Sequence, residues 1–157
     1  MLIFDQLIQL LESNNASYRV IEHPSEGRSD EVARIRGTAA GQGAKAMLCK
    51  DKGVSGVFVL AVLPGDRKLD FRKVAAAIGL KKVTLASADE ATLETGCKIG
   101  AIPPFTFSPS IRLVVEPALL NEYAEIAFNA GRLDRSIVLD SSDYLRIAQP
   151  HLHSLCA

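Results

Sequence analysis

Apolar and polar residues along this chain recur with two periods, one near 3.6 and one near 2. Phe4, Leu7, Ile8 and Leu11 fall at i, i+3, i+4 and i+7, which predicts an amphipathic helix ended by Ser13-Asn14-Asn15. Residues 18–21 read as a short strand. Ser29 has the residue type of an N-cap, with Asp30 and Glu31 in the first turn of a helix and Arg34 and Arg36 in its last. That order of charge complements the helix dipole, and Gly37 supplies the stop. Gly41-Gln42-Gly43 is a flexible turn into a strand over 44–50. Residues 57–63 are continuously apolar and rich in valine, the pattern of a central strand covered on both faces. Pro64-Gly65-Asp66 turns the chain, and Phe71, Val74, Ala75 and Ile78 form a second helical stripe stopped by Gly79. Ser87-Ala-Asp-Glu90 has capping-box spacing for a helix that Gly96 closes. Strands are expected over 111–115, 125–128 and 136–139, and a last helix over 143–148 stops before Pro150.

The interleaving of these elements, without repeats or a linker, predicts one mixed α/β domain over 1–157 with a sheet of six or seven strands. Composition narrows the class: of 157 residues 48% are hydrophobic and 23% charged, which excludes a disordered or collagen-like chain. Cys49, Cys97 and Cys156 are odd in number and form no C-x-x-C pair, so no disulfide framework is expected. The N-terminus lacks a basic segment before its apolar residues, and the longest apolar run is far too short for a membrane span. A cytoplasmic protein without a membrane partner is expected. With 18 basic and 18 acidic residues the net charge is zero, which argues against indiscriminate coating of DNA or RNA. The charge is nevertheless polarised: residues 1–27 carry −3, residues 28–82 carry +7 and residues 83–157 carry −4.

The common catalytic signatures G-x-S-x-G, H-E-x-x-H and paired C-x-x-C are absent. His151-Leu-His153-Ser-Leu-Cys156 has metal-ligand residue types but reads as a frayed tail, and no metal site is expected. His23, before Pro24, reads as a turn histidine rather than a general base. Gly41-Gln-Gly43-Ala-Lys45 lacks the spacing of a phosphate loop. Two features stand out. Alternation along 44–50 places Lys45, Met47 and Cys49 on one face and Ala44, Ala46 and Leu48 on the other, both largely apolar. Lys45 is then either a lysine snorkelling at the sheet's rim or an ammonium aimed into a cavity at an anion or carbonyl. The second feature is Gly100-Ala-Ile-Pro-Pro104-Phe105. It is either a rigid connector or a loop whose Gly100, Ala101 and Ile102 amides face a developing oxyanion, since Pro103 and Pro104 have no N–H to donate.

Lys45, Leu69-Asp70 before an Ala-rich helix, Lys81-Lys82, Glu94-Thr95-Gly96, Gly100-x-x-x-Pro104 and Phe128-Asn-Ala-Gly131 occur in a characteristic order. From about residue 5 to residue 150 the set resembles the YbaK/EbsC family, free-standing relatives of the editing domain of bacterial prolyl-tRNA synthetases. Arg36-Gly-Thr-Ala39, Gly41-Gln-Gly-Ala-Lys45 and Ile126-Ala-Phe-Asn-Ala-Gly131 point to its YeaK branch. The resemblance implies a mixed, mostly antiparallel, partly curled sheet flanked by helices, and hydrolysis in trans of mischarged aminoacyl-tRNA. It implies no metal and no cofactor, and a pocket for small amino acids such as Ser, Ala, Thr or Cys. By position, Lys45 matches the family's pocket lysine near the terminal adenosine, and 100–104 matches the loop whose amides hold the ester. The implied catalytic set is Lys45, Gly100, Ala101 and Ile102. Thr38, Pro103, Pro104 and Asn129 are expected to join Lys45 in binding substrate, and the basic charge of residues 28–82 makes Arg34, Arg36 and Lys50 the residues expected to meet the tRNA. Asn129 stands where some members carry histidine, and Ala46 where some carry a polar residue; both departures bear on amino-acid specificity. The partner implied is the 3′ acceptor end of an aminoacyl-tRNA, and delivery by a synthetase is left open.

Such a sparse site suits the chemistry. An aminoacyl ester is activated by its neighbouring ribose hydroxyl and ammonium group, so orienting water and stabilising the oxyanion suffices. Lys45 is a poor general base at its reference pKa, so binding and orienting the substrate is its expected role. One methylene is worth roughly 1–3 kcal/mol in an apolar pocket, too little for a synthetase to reject a close analogue unaided. The basic stretch, with Arg28, Arg34, Arg36, Lys45 and Lys50, offers an approach for the acceptor end. Two other readings remain at this point. One is a non-catalytic module capturing an aminoacyl or nucleotide group in the same pocket. The other is an interaction domain acting through its first helix.

Overall fold

The computed structural model describes residues 2–157. At its centre lies β3 (Phe58–Pro64), the strand predicted by the uninterrupted apolar run. Leu60 and Val62 enter one hydrophobic cluster, Val59 and Ala61 the other, and none of the four is more than 1% exposed. A strand covered on both faces has no position for a polar side chain, hence the run. β2 (Ala44–Asp51) pairs with β3 antiparallel and β5 (Ile111–Val115) pairs with it parallel. β4 (Val83–Leu85) and β8 (His151–Leu152) complete the order β4-β2-β3-β5-β8. A second sheet is antiparallel throughout, in the order β1 (Tyr18–Glu22), β7 (Arg135–Asp140), β6 (Glu125–Arg132).

The expected mixed α/β class holds, but among the described residues the strands number eight and divide between two sheets. A parallel bridge from Gly43 to Ala127 joins the sheets where β2 begins. The larger cluster draws on both sheets, on Leu7 and Leu11 of α1 (Ile3–Ser13), and on Tyr144 of α6 (Ser141–Ala148). The smaller one packs Val74 and Ala75 of α3 (Phe71–Ile78) against Cys49, Val114 and Leu155. The alternation read for β2 is present: Ala44, Ala46 and Leu48 face the first cluster and Cys49 the second.

α4 (Ala88–Thr95) has the expected capping box: Ser87 Oγ accepts from the Glu90 amide and the Glu90 carboxylate accepts from the Ser87 amide. α2 (Ser29–Arg36) starts one residue earlier than expected. Ser29 is its first helical residue, Arg28 takes the cap position without a side-chain bond, and Glu26 accepts from the Gly27 and Arg28 amides. α5 (Pro117–Glu122) was not foreseen. The C-terminal segment is docked rather than frayed. Leu155 is fully buried, β8 pairs with β5, and Glu116 accepts from the Leu155 and Cys156 amides. Among the described residues no helix is long and apolar enough to cross a membrane, and all three cysteines are unpaired.

Candidate active site

A cavity of about 200 Å³ opens where the two sheets meet. Gly27, Ser29, Val32 and Arg36 reach it from the entrance and body of α2, and residues 43–47 from the start of β2. Ile99, Gly100 and Ile102 come from the proline-containing loop, and Ala127 and Asn129 from β6. β6 turns Ile126, Phe128 and Ala130 into the core, so period-two alternation leaves Ala127 and Asn129 for the cavity.

Lys45 lies in this wall, half-buried, with Nζ donating to the Arg67 carbonyl at 2.6 Å. Burial lowers its pKa from the ordinary lysine value, while Cys156 and Asp66 pull the other way. Lys45 thus lines the cavity while its ammonium is held by a carbonyl outside the cavity wall. Arg36 also turns inward. Its Nε donates to Ser136 Oγ at 2.7 Å and its Nη2 to Asn129 Oδ1 at 3.3 Å. Burial without a facing carboxylate pushes the guanidinium pKa down to about 10.

Among the three loop amides expected to act, Gly100 and Ile102 line the cavity, and neither has a hydrogen-bond acceptor among the described residues. Ala101 differs. It is 2% exposed and its N–H closes a turn onto the Lys98 carbonyl at 2.9 Å, so that amide is already engaged. Pro103 lines a second, mostly apolar cavity of about 250 Å³ beyond Ile102, and the Pro104 carbonyl accepts from Tyr144 Oη at 2.5 Å. Thr38 lies outside the cavity wall, with its Oγ1 buried and unbonded. Arg34 is exposed and paired with Glu31, and Lys50 is paired with Glu90 at the far end of β2. Lys50 lies five residue steps along the strand from Lys45, roughly 17 Å.

Sequence reasoning passed over Gly27, Ser136 and the role of His23. A side chain on Gly100 would place its Cβ 2.8 Å from Gly27 Cα, so the two loops meet glycine to glycine. Ser136 sits directly opposite Asn129 in the β6–β7 register, a pairing that periodicity alone does not give. His23 directly follows β1, with its amide on the Asp134 carbonyl and Nδ1 donating to the Pro24 carbonyl, and its Nε2 reaches Ser136 Oγ at 2.7 Å. His151 and His153 lie with ring centroids 6.1 Å apart, and no cluster of three metal-binding side chains occurs among the described residues.

Residues 23–147 match the aminoacyl-tRNA editing domain family. The multifunctional Ser/Thr-tRNA deacylase ProXp-y of Escherichia coli (strain K12) is 50% identical over 149 residues, covering 94% of this chain and 89% of that one. A 59-residue stretch, 38% of this chain and 10% of the other, is 38% identical to a proline–tRNA ligase of Thermosipho africanus. Among solved structures, that of a hypothetical protein superposes with a TM-score of 0.87 at 22% identity, over 97% of this chain and 99% of the other. A candidate trans-editing enzyme for prolyl-tRNA synthetase does so with 0.83 at 22% identity, over 98% and 96%. At those identities the two structures establish the fold.

Proposed function

The chain belongs to the aminoacyl-tRNA editing domain family, and from that premise we propose that it removes a small amino acid from mischarged tRNA in trans. Seryl and threonyl esters, the substrates in the name of its E. coli relative, lead the set; alanyl and cysteinyl esters complete it. The observation that carries this reading is the composition of the cavity. Lys45, Gly100 and Ile102 share its wall, and no His, Cys, Asp or Glu lines it among the described residues. Such a wall supplies neither a conventional base nor a thiol or carboxylate nucleophile. It can hold an ester carbonyl and stabilise the oxyanion, leaving proton transfer to the substrate's own ribose hydroxyl. At about 200 Å³ the cavity falls below the roughly 300–1,000 Å³ of drug-sized sites. It suits the aminoacyl end, with the nucleotides of the acceptor end outside.

In this reading Gly100 and Ile102 are the donors to the carbonyl. Lys45, held by the Arg67 carbonyl, binds and orients the ester near the terminal adenosine. Arg36 supplies positive charge from the wall. A synthetase that hands over the charged tRNA belongs to the same proposal, and adding one to the assay tests it separately. The main test is a panel of aminoacyl-tRNAs offered to the wild type and to Lys45→Ala. The expected result is release of free amino acid from small aminoacyl groups, reduced about 100-fold by the substitution. Unchanged turnover in the variant removes Lys45 from the mechanism. No release from any substrate by the wild type, with the ester protected instead, overturns the hydrolase reading in favour of a binding module.

A further inference from the structure

Asn129 stands in the cavity wall only 4% exposed, and the protein itself uses every hydrogen-bonding position of its side chain. Nδ2 donates to the carbonyls of Gly100 and Glu26, both at 2.8 Å. Oδ1 accepts from Arg36 Nη2 at 3.3 Å and from Ser136 Oγ at 3.0 Å. A carboxamide has two donor hydrogens and two acceptor lone pairs, so none is left for a substrate. Two carbonyl oxygens cannot face an amide oxygen, which also fixes the orientation of the group.

The two carbonyls belong to different loops, one leading into α2 and one running through 100–104. Peptide planarity makes their anchoring consequential. The Gly100 carbonyl shares a plane with the Ala101 N–H, which is bound to Lys98 on the opposite side. The Ala101 carbonyl shares a plane with the Ile102 N–H and accepts from the Gly131 amide at 2.9 Å. Both planes that follow Gly100 are therefore pinned from β6, the first by Asn129 and the second by Gly131. The register shift between Asn129 and Arg132 is what lets one strand offer a side chain and a nearby amide to the same loop. Ser136, fully buried, backs the arrangement by accepting from Arg36 Nε and meeting His23 Nε2, both at 2.7 Å.

We propose that Asn129 is a positioning residue that holds the Gly100 loop in its working geometry without contacting the aminoacyl group, with Ser136 as its support. The inference rests on the deacylase reading and is tested on whichever aminoacyl-tRNA the wild type hydrolyses best. Asn129→Asp replaces two donated hydrogens with an oxygen set against two carbonyls. Its kcat falls about 100-fold, the loss that displacement by roughly 1 Å can cause, while KM stays within twofold. The ranking of aminoacyl groups is unchanged, and without substrate the Ala101 and Gly131 amides exchange hydrogen at least tenfold faster. Ser136→Ala, out of reach of any substrate, lowers kcat about fivefold at unchanged KM, the effect of one hydrogen bond. An unchanged kcat in Asn129→Asp, or a reordered amino-acid preference with unaltered exchange, overturns the inference and leaves the deacylase reading standing. If Asn129→Asp does not fold, Ser136→Ala decides by the same readouts, and an unchanged kcat there overturns it. A wild type that hydrolyses nothing counts against the function instead.

Discussion

Gly100 is the residue at which backbone conformation and site geometry are least separable. Its φ is +88°, and a Cβ there would lie 2.8 Å from Gly27 Cα and 3.0 Å from the Gly27 carbonyl oxygen. Gly100→Ala therefore combines a left-handed backbone, costing about 1–2 kcal/mol, with a clash against backbone that cannot rotate away. Gly27→Ala is the matched control. Its Cβ would be 3.5 Å from Gly100 Cα and 3.3 Å from a Leu133 methyl, and no positive φ is involved. We expect Gly100→Ala to lose at least about tenfold in kcat/KM, as a shifted oxyanion donor should. Gly27→Ala should lose much less, and a comparison of kcat/KM and Tm for the two variants checks this asymmetry. The glycine and the prolines of this loop were legible in sequence because those residue types restrict or free the backbone wherever they stand. The engagement of the Ala101 amide and the inward turn of Arg36 were not. One depends on a turn closing onto Lys98, the other on Ser136, a hundred positions away.

Elements show the same division. β3 and the helix capped by Ser87 and Glu90 carry their signals locally, in an apolar run and in residues three apart. β4 has three residues and β8 two, too short for any period to register, and α5 has six. Pro117 after Glu116 was a readable start for α5. The docking of β8 and the tail was beyond local reading because its anchor, Glu116, lies some forty residues upstream. Burial works against the charge on Glu116, but the amides of Leu155, Ala118 and Cys156 outweigh it and hold the carboxyl below its ordinary 4.5. A depressed folded-state pKa gives stability that is complete above the unfolded value and is lost as pH falls through the folded one. Hydrogen-exchange protection of the Leu155 and Cys156 amides should therefore hold near neutrality and fade only as pH falls below the ordinary 4.5, through the lower folded-state value. Glu116→Gln should lose about 1–3 kcal/mol at pH 7 and show a flatter Tm across the acid range. Equal acid sensitivity of wild type and variant would dissociate Glu116 from the docking.

For the molecule as a whole, the decisive feature is a seam. Gly43 and Ala127 bridge the two sheets and both line the cavity, so the site lies where separately paired parts of the chain meet. No periodicity records that, since the bridged residues are more than eighty positions apart. The seam also changes what the basic stretch means. Within 28–82, Arg28 pairs with Asp30 and Arg34 with Glu31, acids already counted in its +7, while Lys50 pairs with Glu90 and Arg67 with Glu122 from outside, which lowers the excess to +5. At the cavity the charges without an ion-pair partner among the described residues are Arg36 and Lys45. On the proposed function, such a surface would grip an acceptor end over a short range. If about two phosphates are neutralised, log K for tRNA binding falls with log salt with a slope of about −1.4, using about −0.7 per phosphate for single strands. Arg34→Glu should then shift the affinity by less than about threefold, because Arg34 is exposed, paired with Glu31 and outside the cavity wall. Binding of uncharged tRNA between 50 and 200 mM salt, with wild type and Arg34→Glu side by side, checks both statements. A slope near −5, or a large loss in Arg34→Glu, would mean that the outer face of α2 carries the tRNA and that the neutral total conceals an extended binding surface. A shallow slope with Arg34 indifferent leaves the two inward cations as the charges that meet the acceptor end, at the same seam where the proposed function puts the ester.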